Sequence, residues 1–333
     1  VKTAKSVLFV SGVRTVGVNK PVLLLHFNPC LDNIMHFSAK GGAASDWSFE
    51  GLVFDGGNRT YTTEFAQVMI QTTGAGTHSR FLLKDNEFRY SRGKFVNLYG
   101  GNCSDYRVTG NYFHHGCSNA MGVGGFRFRV DNNTFADIFL GYGGTKVGGA
   151  EGIIVRNQSS SNSDETSYGD ISYNTFSNYG TINFGGGLWV YRHINISYNR
   201  ILGYDNAVGI GGVMENIVIE GNQISIRNLG YLNGQAIKME LTTAGQSASD
   251  IRIHGNMIAI HTDTVTGKSS SGISMSVNSN NFDNVKRIRI TDNSVNLYGD
   301  STQYPLDLQY CKDVVISGNS ITTDRADQDT AVN

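Results

Sequence analysis

IVIEGNQI, residues Ile217–Ile224, sets isoleucines at 217 and 219, breaks at Glu220 and Gly221, and passes through Asn222 to Ile224. Spacing by two turns Ile217 and Ile219 to one face of a strand and Val218 to the other. Asn222 follows where the chain must bend, since a short amide side chain tolerates the left-handed backbone conformation. The same phrase returns as FLLKDNEF around Asn86, YRVTGNYF around Asn111, FRVDNNTF around Asn133, DISYNTF around Asn174 and INISYNRI around Asn199. After Asn222 it continues as IRIHGNMI around Asn256, IRITDNSV around Asn293 and VVISGNSI around Asn319. An earlier degenerate copy is FEGLVFDG, with Gly56 in the asparagine place.

Uninterrupted anchors lie 22 to 26 residues apart, as in Asn86 to Asn111 (111 − 86 = 25) and Asn199 to Asn222 (222 − 199 = 23). That period belongs to stacked repeats, in which each unit buries its apolar face only against its neighbours. Asparagines stacked at ~4.8 Å would hydrogen-bond one another in a ladder. Between anchors lies a second alternating segment: KFVNLY, NAMGVGG, EGIIVRN, GGLWVYR, NAVGIGG, QAIKMEL, SGISMSV and YPLDLQY. Helical periodicity is absent, which excludes leucine-rich and helical solenoids and βα barrels. Blades of a propeller would need antiparallel hairpins at a longer period.

Composition agrees with an ordered, turn-rich β protein: 41 glycines, three prolines and 17% charged residues, 27 basic against 28 acidic. The balanced charge gives no basic groove for nucleic acid. No apolar run approaches the roughly 20 residues of a membrane span, so no membrane insertion is expected. The opening VKTAKSVLFVSGV reads as a strand rather than a signal peptide. Lack of an initiator Met and the polar ending TDRADQDTAVN suggest a part excised from a longer polypeptide. Cys30, Cys103, Cys117 and Cys311 are too few and too scattered for a disulfide framework.

The repeated VxIxxNxI with a second short strand and variable loops resembles the right-handed β-helices of the pectin-lyase-like superfamily over roughly residues 45–323. The fold expected is therefore all-β, a right-handed single-stranded parallel β-helix of about ten or more coils with an Asn ladder and loop insertions. One continuous β-helix domain is expected over 45–333, with an irregular coil or cap over 1–44. Within the superfamily, SFEGLVFDGGNRT, the Asn-turn coils and the neutral charge look most like a bacteriophage tailspike or tail-fibre depolymerase domain. That resemblance implies a homotrimer on the virion tail, a bacterial surface polysaccharide as partner, and cleavage of capsule or O-antigen; no cofactor is expected. A secreted microbial lyase or hydrolase and a non-catalytic adhesin or fibre domain are the alternatives. Insertions around 158–169, 225–235, 242–250, 259–271 and 278–286 favour the enzyme, because irregular loops beside a groove serve selectivity.

Alternation in the second segment leaves two outward files: Asn97, Gly122, Ile154, Trp189, Gly209, Lys238, Ser274, Asp307, and beside it Tyr99, Gly124, Arg156, Tyr191, Gly211, Glu240, Ser276, Gln309. Trp189 and Tyr191 next to glycine rungs would form a ledge for sugar rings, with Arg156 and Lys238 taking hydroxyls, unless a loop or a neighbouring subunit covers them. Hydrolysis of a glycosidic bond requires two carboxylates flanking it, and Glu240 with Asp307, two coils apart, is the best-placed pair, matching only an inverting geometry. Asp205 is the reserve acid, followed by Glu151, Asp164 and Glu165. A lyase would instead use Lys238, Arg156 or Tyr191 as base. His114, His115, Cys117 and Cys103 lack ligand spacing, so no metal is expected.

Overall fold

The computed structural model describes residues 7–8, 12–24, 35–38, 43–57, 68–72, 77–91, 93–98, 102–116, 118–138, 151–156, 165–177, 181–185, 188–203, 206–228, 234–262, 270–299 and 303–324. The chain forms two compact units, Val1–Ser160 with Thr166–Gly180, and Ser161–Glu165 with Thr181–Asn333. Each unit winds through three parallel sheets, here A, B and C, and a coil contributes one short strand to A, one or two to B and one to C. In the first unit one such coil is Lys94–Leu98 in A, Asn102–Thr109 in B and Tyr112–Gly116 in C. Segments before residue 45 already join the stack: Arg14 pairs with Ser48 in B and Val22 with Val53 in C. In the second unit a coil is Asn206–Gly211, Val213–Glu220 and Gln223–Asn228.

The inward face of each strand supplies the core. In the first unit Phe54, Phe88, Phe113, Phe135 and Phe176 form one fully buried column, rings 4.7 to 4.9 Å apart and within 7° of parallel. Such stacked pairs are worth about 0.5–1.5 kcal/mol each beyond their burial, and the ~4.8 Å rung spacing supplies their separation. Trp47, Phe81, Tyr106 and Phe128 make a second stack. The second unit fills the place of the phenylalanine column with aliphatic residues, Ile201, Ile224, Ile258 and Val295.

The asparagine ladder is present in both units. Asn86, Asn111, Asn133 and Asn174 run up the first, and Asn199, Asn222, Asn256, Asn293 and Asn319 up the second. After the first asparagine of each run, the carboxamide oxygen accepts both the backbone N–H and the Nδ2–H of the preceding asparagine, as Asn133 does from Asn111 at 3.0 Å. The expected reason for asparagine is corrected. The left-handed residue is the one before it, Asp85, Asn132, Tyr173, Tyr198 or Asp292, or glycine at 110, 221, 255 and 318. Asparagine is selected for its buried amide, which satisfies backbone groups at a corner where the sheet ladders stop. The degenerate first copy is also shifted: Leu52, not Gly56, occupies the asparagine place, and its N–H donates to Asn86 Oδ1.

Candidate functional site on sheet A of the second unit

Sheet A of this unit comprises Ile182–Phe184, Asn206–Gly211, Gly234–Leu241, Ser270–Val277 and Gln303–Gln309. Its inward residues, including Ile182, Val208, Ile237, Ile273 and Leu306, are buried. Register then fixes the outer face: Asn183, Gly209, Lys238, Ser274 and Asp307 in one file, Gly211, Glu240, Ser276 and Gln309 in the next. Eight of the expected outward residues, Gly209, Gly211, Lys238, Glu240, Ser274, Ser276, Asp307 and Gln309, share this face.

Two expected members do not stand where alternation put them. GGLWVYR is not a sheet A strand: Ile182–Phe184 takes that place, and Val190–Ser197 is an eight-residue strand of sheet B. Tyr191 consequently points inward, 0% exposed, with its hydroxyl donating to the Gly185 carbonyl at 3.0 Å and its ring edge-on to Phe184. It cannot be a platform or a base. Trp189 lies at the corner between the sheets, half-buried, its indole across Gly185 so closely that only a glycine fits beneath. Trp189 thus still borders sheet A's outer face, through the corner rather than as a rung. Asn183, which the sequence files omitted, reaches over Gly209, where a Cβ would stand 2.7 Å from its Oδ1. The run TINFGGG carried the signal, since Ile182 and Phe184 alternate ahead of glycines as Val208 and Ile210 do.

Lys238 Nζ sits 2.8 Å from Glu240 Oε2. Gln309 Nε2 donates to Asp307 Oδ1 at 3.1 Å. Between these rungs lie Ser274 and Ser276, whose small side chains leave room. The Ser274 hydroxyl is buried with no hydrogen-bond partner among the described residues. Two rungs at about 4.8 Å and two residues at about 3.3 Å place the Cα atoms of Glu240 and Asp307 about 12 Å apart on the diagonal. The axial part alone, two rungs, is about 9.6 Å. That is about the upper limit of the roughly 6.5–9.5 Å window of inverting pairs and far outside the ~5 Å of retaining ones. Nearby, burial first and Asp307 second push the Cys311 thiol up to about 11.

Asp205 lies outside the described residues. So do Asp164, Cys117 and Tyr99. Arg156 belongs to the first unit, directly after its strand Ile153–Val155. Of the expected insertions, 225–228 and 259–262 are regular strand in sheet C.

No family model matches the chain, and no curated protein is similar to it in sequence. Solved structures do match. PfbA, a surface adhesin of Streptococcus pneumoniae, aligns at a TM-score of 0.67 and 11% identity, over 97% of this chain and 82% of that one. DFA-IIIase from Arthrobacter chlorophenolicus, in complex with GF2, aligns at 0.62 and 11% identity, over 88% and 71%. The tailspike of E. coli bacteriophage HK620, in complex with a pentasaccharide, aligns at 0.53 and 14% identity, over 93% and 55%. The chain is a right-handed parallel β-helix. At these identities the likeness establishes the fold, and the β-helix scaffold is one on which the outer face of a sheet and its flanking loops are free to carry chemistry. No helix among the described residues is long and apolar enough to cross a membrane.

Proposed function

We propose that the protein is a polysaccharide-degrading β-helix enzyme, a tailspike-type depolymerase that hydrolyses glycosidic bonds of a bacterial capsule or O-antigen with inversion. The observation that carries this reading is the Glu240 and Asp307 pair flanking the serine rung, with Trp189 at the corner two to three rungs away. A sugar lying across Ser274 and Ser276 would have a carboxyl group on either side. One protonates the leaving oxygen, while the other takes a proton from the water that attacks the anomeric carbon from the opposite face. Trp189 offers an apolar ring face to a neighbouring sugar. The glycan-bound tailspike and the DFA-IIIase complex support a sugar ligand by analogy of fold.

Charge favours hydrolysis over β-elimination. Lys238 is the one cation among the described outward residues of this face, and Glu240 already pairs with it. A uronate polymer would meet Asp307 with no cation to spare, and a lyase must neutralise the uronate carboxylate. The substrate is therefore a neutral polysaccharide. Asp205 stays a candidate acid on sequence grounds, and Arg156 a candidate substrate contact. A homotrimer, and a place on a virion tail or in a secreted form, belong to the same proposal.

A second reading, glycan binding without cleavage, has one observation in its favour: the Lys238 ion pair occupies Glu240 and the carboxylates stand wide apart. Incubation with a panel of capsule, O-antigen and uronate polysaccharides separates these readings. Reducing ends without unsaturated-uronate absorbance, lost in Glu240→Gln, are expected. Absorbance would establish a lyase, and binding without either signal an adhesin.

A further inference from the structure

The outer face of sheet C in the first unit carries a second cluster that the sheet A site does not use. Strands Val53–Asp55, Glu87–Arg89, Tyr112–Gly116 and Thr134–Ile138 lie side by side in parallel. Register sets Asp55, Arg89 and His114 in one outward file and Glu87 with Tyr112 in the adjacent one. Arg89 binds Asp55 at 2.9 Å and Glu87 at 2.8 Å. Glu87 Oε1 also lies 3.2 Å from His114 Nε2, and His114 Nδ1 lies 2.6 Å from His115 Nδ1.

These contacts assign the protons. Burial opposes the charge on Glu87, but hydrogen bonds from His114 and Arg89 outweigh it and hold the carboxyl below its usual range. An ionised carboxylate only accepts, so His114 Nε2 carries a hydrogen. Burial pushes the His114 imidazole below its ordinary range despite Glu87, so the ring is neutral and its Nδ1 is an acceptor. His115 Nδ1 must then donate. That leaves His115 Nε2 with its lone pair and no partner among the described residues. Glu87, through His114, makes a surface nitrogen a fixed hydrogen-bond acceptor.

Aromatic rings flank the histidine pair. Tyr112, 41% exposed, stacks on His114 at 4.3 Å and 16°. Tyr90 leans on His115 at 5.1 Å. His115 and Tyr90 both hold left-handed backbone, φ 54° and 55°, which turns successive side chains out of the strand alternation and brings their rings together. The two carboxylates Asp55 and Glu87 share the one guanidinium of Arg89, so no positive charge remains for an anion. An exposed ring face beside one oriented acceptor is the recognition chemistry of a neutral, hydroxyl-bearing ring.

We propose that Tyr112 and His115 form a second carbohydrate-binding site, in which Tyr112 stacks on the apolar face of a neutral sugar and His115 Nε2 accepts one of its hydroxyls. This site goes beyond the sheet A reading and does not depend on hydrolysis there.

The test uses the whole chain, with ¹⁵N-labelled histidine, titrated separately with methyl α-glucoside, methyl α-galactoside, N-acetylglucosamine, rhamnose and Zn²⁺ alone. At about pH 8 at least one sugar should shift the His115 ring signals. That response should fall at least about tenfold in Tyr112→Ala and in His115→Asn, the latter chosen because asparagine tolerates the left-handed backbone. It should persist in Trp189→Ala and Glu240→Gln, which alter only the sheet A site. Rings that no sugar shifts, a response surviving both site variants, Zn²⁺ shifts without sugar shifts, or an Nε2-protonated His115 at pH 8 would each overturn the proposal.

Discussion

Replacing Asn222 with alanine removes a carboxamide from the middle of the second unit's ladder. Its Oδ1 accepts from the Asn199 N–H at 2.9 Å and from Asn199 Nδ2 at 3.0 Å. Its Nδ2 donates to the Ile196 carbonyl and to Asn256 Oδ1, both at 2.9 Å. Four hydrogen bonds are lost, and Asn222 is fully buried, so water does not take their place. At about 0.5–1.5 kcal/mol net for each bond, with the Asn199 N–H left unsatisfied, the expected loss is about 3–5 kcal/mol. Asn319 ends the ladder and is only half-buried. Its Nδ2 donates to the Ile290 carbonyl at 2.8 Å and its Oδ1 accepts from Asn293; because Asn319 itself is partly exposed, water can replace its amide in the variant, so Asn319→Ala should cost about 1 kcal/mol. Urea unfolding of the two variants beside the parent, followed by far-ultraviolet dichroism with the slope m held common, gives both values. An Asn222→Ala loss below that of Asn319→Ala would refute the view that burial, not the corner geometry, sets the strength of the ladder.

Other consequences are smaller in scope. Gly185→Ala forces the Trp189 indole off its seat while leaving both carboxylates in place, so glycan affinity should fall about tenfold with little change in stability, read by titration calorimetry. Asp131 has no exposed side-chain surface. Burial opposes its charge, but Arg107, Thr109 and Arg129 together hold its carboxyl below the usual range. Its folded pKa thus lies below the unfolded one. The stability it adds is complete above the ordinary carboxylate range and disappears as pH falls through the folded value, so Asp131→Asn should destabilise at about pH 7 and be nearly neutral at about pH 2. Cys311, with its thiol at about 11, should react slowly with iodoacetamide near pH 8 and faster in Asp307→Asn, because removing the anion favours the thiolate.

The coil period and the ladder were legible because both depend on spacing along one strand and its corner. VxIxxNxI puts the inward residues and the amide within eight positions, and each copy carries the full pattern. Sheet C was seen only as the single apolar residue after each asparagine, since its short strands begin there and its outward residues are mixed. The shift at GGLWVYR has a physical cause. Alternation over Leu188, Val190 and Arg192 matches a strand in either register, and a tyrosine with an inward hydroxyl partner at Gly185 is indistinguishable in sequence from one facing out. Placing Tyr191 outside therefore failed, while Lys238, Glu240, Ser274 and Asp307, which sit in unbroken alternation, came out on one face. The Glu87, His114 and His115 chain was out of reach: Glu87 lies 27 residues before His114 (114 − 87), one coil away, and only the register joins them.

The claim that Glu240 and Asp307 act as a pair on sheet A's outer face is tested most directly by the anomeric configuration of the first product. Proton NMR during the early turnover of a cleaved polysaccharide should show the inverted anomer. Glu240→Gln and Asp307→Asn should each slow its release at least about 10²-fold, the scale of acid–base catalysis by one positioned group. A retained anomer, or unchanged rates in both variants, would contradict the assignment.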